Sequence, residues 1–280
     1  MPGGAAAVMR LNFWGVRGSV AAPGASTLRY GGNTSCVELR CGPHLLVLDA
    51  GTGARPLGEA LMAAGQPVMA DILISHTHLD HIGGLPFFAP MYRPGSRLRF
   101  WAGHLGNQGG LEAALDRSWG PPLMPELRLA FRAGLEFQDF TAGSVLEPQP
   151  GLRVATAPLN HPGGGTGYRV QWQDRVVAYA TDTEHQPGLL DPAVMQLARG
   201  ADVLVYDASF NDAEMPRHAG WGHSSWEHAL RLAEAAGVGR LVLFHHEPGR
   251  DDAALDAIQA AATALRPGTL VAREGLVLEV

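Results

Sequence analysis

The run Ile72-Leu73-Ile74-Ser75-His76-Thr77-His78-Leu79-Asp80-His81-Ile82-Gly83-Gly84 constrains this chain more than any other stretch of it. Its apolar start reads as a short buried strand, and three histidines and an aspartate follow almost at once. Side chains alternate along an extended backbone, so His76 and His78 point to one side. Asp80 and His81 fall where the strand gives way to a turn and are free to aim elsewhere. That division suits two cations, with His76 and His78 on one and Asp80 and His81 on the other. Imidazole and carboxylate donors are expected first of Zn²⁺, with Mn²⁺ or Fe²⁺ also admissible. A polar loop whose histidines titrate in water is the plainer reading. It fits a lone histidine better than four ligand-type side chains in six residues, straight after a core-like strand.

At 280 residues and 46% hydrophobic, the chain has material for a sizeable core, and residues 1–280 are expected to form a single domain. Its formal net charge of -6 supplies no basic field to recruit nucleic acid. All 21 basic residues are arginine, which excludes a lysine Schiff base and a lysine-bearing phosphate loop. Two cysteines, Cys36 and Cys41, make no disulfide framework and read as small core residues in a reducing compartment. The first eight residues lack the basic start and apolar length of a signal peptide, and no stretch reaches a membrane span. A cytoplasmic protein is expected.

Along the chain, strands are expected at 10–14, 36–40, 45–48, 98–101, 127–140, 152–157, 203–206, 241–244, 269–273 and 276–280. Residues 168–172 and 176–180 form a hairpin around Gln173-Asp174. Helices are expected at 54–64, 110–119, 192–199 (capped by Asp191), 224–236 and 252–265. The loop Gly15-Val16-Arg17-Gly18-Ser19 has the makings of an anion contact, yet alone it reads as a plain turn. Asp49, at a strand's end, is open to two roles: acceptor for a histidine N–H, or cap of the next helix. Strands dominate the first half and alternate with helices later, as two sheets faced by helices would require.

Histidines and acids recur after expected strands: His76 to His81, then His161, Asp182 and His245. This set resembles the metallo-β-lactamase superfamily. The resemblance implies an α/β fold, a four-layer αββα sandwich of two mixed sheets flanked by helices, with two metal ions at one rim. It places His76, His78 and His161 on the first cation, Asp80, His81 and His245 on the second, and Asp182 between them. The segments Tyr206-Asp207-Ala208-Ser209 and Gly222-His223-Ser224-Ser225 are similar to the ribonuclease Z branch of phosphodiesterases, with Asp207 where that branch usually has Glu. There the acid orients the histidine, which steadies a phosphate oxyanion or protonates the leaving group. The catalytic residues so implied are Asp80, Asp207 and His223.

The long arm with which true ribonuclease Z grips tRNA is missing, because about twenty residues between His161 and Asp182 suffice only for a hairpin. The resemblance therefore implies a hydrolase of a small phosphodiester, a cyclic nucleotide among the candidates, acting through a hydroxide made from metal-bound water. No membrane and no nucleic-acid polymer is expected as partner, and a homodimer follows by analogy with the branch. Alternatives are a hydrolase of a lactone, thioester or β-lactam, a tRNA 3′-processing endonuclease, and a non-enzymatic metal sensor. Arg17, Asn33 and Ser35 are expected to line the mouth, and His185 and His218 to touch substrate. His44, His104 and His228 read as surface or packing residues, and His246 as packing beside the site.

Overall fold

Apolar and polar residues alternate from Met9, and the burial alternates with them: Met9, Leu11 and Phe13 are buried while Arg10 is exposed. In the computed structural model, which describes residues 8–106 and 108–280, this is strand β1 (Met9–Gly15). Residues 1–7, most of the segment read as no signal peptide, lie outside the described residues. The first sheet continues through β2 (Cys36–Cys41), β3 (His44–Leu48), β4 (Met69–Ile74), β5 (Arg97–Ala102) and β6 (Gly134–Asp139). The second sheet holds β7 (Val145–Gln149), β8 (Leu152–Leu159), β9 (Gly165–Trp172), β10 (Arg175–Ala180), β11 (Val203–Asp207), β12 (Arg240–Phe244) and β13 (Leu270–Val271). Strand β14 (Val277–Glu279) returns to pair with β1, giving two seven-stranded sheets.

The sheets pack face to face. Met9, Leu11, Phe13 and Leu73 meet Val170, Val205, Val242 and Phe244 in one apolar layer. The outer face of the first sheet is covered by α1 (Ala54–Ala63) and α3 (Gly110–Trp119). That of the second is covered by α5 (Pro192–Ala198), α6 (Trp226–Ala235) and α7 (Asp252–Leu265). Two very short helices, α2 (Leu79–Ile82) and α4 (Leu127–Ala130), lie in loops. The result is the expected αββα sandwich with mixed sheets. Because β4 is covered on both sides, Leu73 faces the other sheet while Ile72 and Ile74 face the helices. A continuous apolar run is what such a strand needs.

Strand β3 runs parallel to β4, and β10, β11 and β12 run parallel to one another. Their carboxyl ends therefore share one rim, where the ligand-type residues follow directly. Two expectations are corrected. Residues 127–140 are not one strand: Leu127, Arg128, Leu129 and Ala130 are strong helix formers and make α4, and only Gly134–Asp139 is extended. Strand β7 was not foreseen because Pro148 interrupts its pattern, and proline is tolerated there because β7 is an edge strand. Cys36 and Cys41 are buried free thiols. No helix among the described residues is long and apolar enough to cross a membrane.

Candidate metal centre

Three residues at this rim adopt positive φ one or two positions beyond strands: Asp49 at 57° after β3, Asp182 at 53° after β10, and His245 at 60° after β12. The left-handed backbone turns each side chain inward where continued extension would carry it past the rim. His76 and His78 follow β4, His78 preceding the first turn of α2, which brings Asp80 and His81 round beneath them. His161 follows β8.

Two clusters of donor atoms result. His161 Nε2 lies 3.1 Å from His78 Nδ1, and His76 Nε2 lies 3.9 Å from Asp182 Oδ1. In the second cluster, His81 Nε2 and His245 Nε2 are 3.3 Å apart. Each lies 3.2 Å from Asp80 Oδ2, and they are 3.2 and 3.1 Å from Asp182 Oδ2. Asp182 thus offers Oδ1 to one cluster and Oδ2 to the other. The separations of 3.1 to 3.3 Å match the edge of a tetrahedron of donors at about 2 Å from a zinc ion, roughly 3.3 Å, and the 3.9 Å between His76 and Asp182 is longer.

Two donors of the first cluster also fit a cation electrically. His76 Nε2 is buried with no hydrogen-bond partner, a cost that a ligated cation removes. Burial, reinforced by His81, pushes the His76 imidazole well below its ordinary range, and burial also lowers His161, so both are held neutral as ligands must be. Every ligand nitrogen with a partner on its far side is oriented. His81 Nδ1 sits 2.8 Å from Asp49 Oδ2, and Asp49 in turn accepts from the Ser75 amide, the Ser75 hydroxyl and the Tyr179 hydroxyl. His161 Nδ1 lies 2.9 Å from the Gly222 carbonyl, and His245 Nδ1 lies 3.1 Å from Ser209 Oγ.

Beside the clusters, His223 Nδ1 is 2.9 Å from Asp207 Oδ2, and Asp207 also accepts from the amide of Asp182 at 3.1 Å. Burial alone would lower His223, but the Asp207 carboxylate pushes it up to about 9. His223 lines a cavity of about 360 Å³ together with Phe210, His218 and Trp221. A second cavity, about 510 Å³, lies against Asp80.

The comparisons with known proteins follow the same lines. The family model for the beta-lactamase superfamily domain matches residues 44–246. The chain belongs to the beta-lactamase superfamily. Within it, the chain is 26% identical to ribonuclease BN of Escherichia coli O127:H6, covering 84% of this chain and 89% of that one. Among solved structures it resembles YhfI, a metallo-beta-lactamase fold protein of Bacillus subtilis, with a TM-score of 0.72 at 20% identity over 98% and 100% of the two chains. A diphosphatase of the PhnP family is similar at a TM-score of 0.69 and 20% identity, over 98% of this chain and 97% of that one. This superfamily member is accordingly a metal-dependent hydrolase with a candidate metal site.

The rim brings together His76, His78, Asp80, His81, His161, Asp182, Asp207, His223 and His245. The expectation that Arg17, Asn33 and Ser35 line the mouth is corrected. Arg17 is fully buried, its guanidinium donating to the carbonyls of Gly31 and Arg250 at 2.8 and 2.6 Å. Backbone pairing of Arg17 with Thr34 and His246 sends its side chain into the interior. Asn33 donates its amides to Glu274, and Ser35 is buried. His218 borders the His223 cavity and stacks on Phe210 at 3.9 Å. His185 instead faces a neighbouring cavity, bonded to Ser224 and stacked on His228. His246 donates to the Ala272 carbonyl.

The loop through Ser19, which by sequence has the makings of an anion contact yet reads as a plain turn, donates its Ser19 amide to Asp80 Oδ2 at 2.7 Å. Sequence reasoning missed Ser75, Ser209 and Gly222, which orient candidate ligands. A β-carbon on Gly18 would stand 2.4 Å from the His245 ring, so only glycine lets that loop pass. The glycines flanking Arg17 were the visible signal, but not what they approach.

Proposed function

We propose that this chain is a phosphodiesterase acting on a small phosphodiester with two divalent cations, zinc first among them. His76, His78 and His161 would hold one cation, Asp80, His81 and His245 the other, with Asp182 shared. When bound, such a pair supplies Lewis-acid charge to phosphoryl oxygens and lowers the pKa of water. The observation that carries the reading is the Asp207–His223 pair beside Asp182. A lactone or thioester hydrolase has no need for an oriented imidazole at that position. With Nδ1 committed to Asp207, His223 presents Nε2 to its cavity, placed to give a proton to a departing alkoxide. Asp80 takes its protein contacts through Oδ2, which leaves Oδ1 to orient an attacking water.

A small substrate is favoured over a polymer for two reasons. The segment between His161 and Asp182 is taken up by β9 and β10, and the net charge is -6. The ribonuclease name belongs to the relative. The test combines metal analysis with turnover of bis(p-nitrophenyl) phosphate by the wild type and His223→Ala. About two equivalents of metal in both proteins, with kcat down about 10²–10⁴-fold in the variant, is expected. No diester turnover by the metal-replete wild type ends the phosphodiesterase reading, and undiminished turnover by metal-replete His223→Ala takes His223 out of it.

A further inference from the structure

The cavity beside Asp80 is apolar where a phosphate-handling site would lead one to expect charge. Val20, Leu79, Ile82, Trp119, Leu123 and Met124 are its large apolar lining residues, with hydroxyls from Ser19, Thr34, Thr52 and Ser118. Leu79 and Leu123 remain 72% and 71% exposed, and Leu79 sits in sequence between the ligand residues His78 and Asp80. Single exposed leucines are ordinary. Several around one cavity that touches a metal-ligand carboxylate form a contiguous apolar surface awaiting a ligand. No arginine or histidine lines it among the described residues, so a second phosphate finds no cationic partner there.

The cavity that His223 lines is of another kind. Trp221, His218 and Phe210 share it with Glu214, Glu247 and Arg250, and Arg250 is engaged by Glu214 and by the Ser209 carbonyl. Ser19 borders both cavities. Held at φ 59° with its amide on Asp80, it is their common wall. If His223 serves the leaving oxygen, the leaving group occupies the aromatic cavity and the other ester group lies across Ser19, against Leu79 and Leu123.

The geometry points to the Asp80 cavity as the subsite for an apolar ester group that stays on phosphorus, making the substrate an open-chain phosphodiester with one bulky apolar substituent. This rests on the phosphodiesterase reading above. A cyclic diester has both ester oxygens in one ring and cannot divide between two cavities. In the reaction, the hydroxyl of water bonds to phosphorus and the P–O bond to the leaving group breaks with its electron pair on that oxygen. The leaving oxygen takes a proton by way of His223, and the other water proton replaces it. The products are a free alcohol and a monoester that keeps the apolar group.

The test holds the leaving group constant. Zinc-loaded enzyme is given p-nitrophenyl diesters whose second group is methyl, butyl or phenyl. We expect kcat/KM to rise about tenfold or more from methyl to phenyl, the range that added apolar contact supplies. In Leu123→Ser/Met124→Ser the phenyl-to-methyl ratio should fall to about one. Leu129→Ser, exposed and outside the cavity, should keep it. Calorimetric titration with methyl and phenyl esters of methylphosphonic acid reads the same preference without turnover. A flat series, a ratio that survives in the double variant, or 2′,3′-cyclic nucleotides outrunning every open-chain diester overturns the inference while leaving the phosphodiesterase reading intact. Preferential binding of the phenyl ester with no diester hydrolysed ends that reading and, with it, the substrate assignment. It leaves only an apolar pocket.

Discussion

Asp49 shows how one residue type carries two meanings until its surroundings are known. Its position after a strand fitted a helix cap equally well, but the residue preceding α1 is Gly53, and Asp49 spends its carboxylate on His81, Ser75 and Tyr179. Asp49→Asn keeps the shape and weakens acceptance from His81. We expect zinc affinity at the second cluster to drop about 10–100-fold, read by competition with a chromophoric chelator. Unchanged affinity would show that Asp49 merely fills space. His228, outside the rim, makes the opposite point. Burial, with smaller contributions from His185 and Arg231 that outweigh Asp212, pushes its imidazole down to about 3 from 6.5. The unfolded chain therefore takes up a proton first as pH falls below about 6.5, and stability declines from there toward about 3. His228→Asn should flatten that acid limb in urea titrations at pH 5 and 7. An equally steep limb in the variant would assign it to other groups.

Elements place these residues, and their ends matter more than their interiors. Strands β3, β10 and β12 each deliver a site residue one or two positions past their last paired residue, in a backbone region that L-residues seldom occupy. The loop before α6 is equally exacting. Gly222 holds φ 83°, its carbonyl faces His161 Nδ1, and its amide donates to Glu184 at 2.8 Å. An added β-carbon would stand 2.1 Å from His161 Nδ1. Gly222→Ala should cost about 1–3 kcal/mol of stability, since strain at such a position is of that order. If His76, His78 and His161 hold a cation as proposed, that cation should also be lost before one at the other cluster. Denaturant midpoints and metal stoichiometry check both, and full occupancy with wild-type stability would refute the crowding. None of this was legible in the chain, because a glycine's partner in space leaves no mark in sequence.

At the scale of the molecule, the rim is an electrostatic problem that the fold sets and that bound cations would solve. Five imidazoles and two carboxylates, supplied by both sheets, gather in two adjoining clusters. Stripping the cations should lower the thermal midpoint by about 5–10 °C, and zinc should restore it, since a ligand at a thousand times its Kd adds about 4 kcal/mol. Coincident melting curves with and without chelator would deny the centre a role in stability. The chain alone determined the strand of Ile72 to Ile74, the ligands clustered after it, and the alternating and continuous apolar runs that make two covered sheets. Those are local facts, set by side-chain period and by donor chemistry. It also allowed His161, Asp182, Asp207, His223 and His245 to be picked out, but only through resemblance, since they lie far apart along the chain. Their convergence, the inward burial of Arg17 and the apolar cavity against Asp80 were decided by tertiary structure. Parallel strand registers bring distant strand ends to one edge, and only the packed sheets determine which side chain meets which.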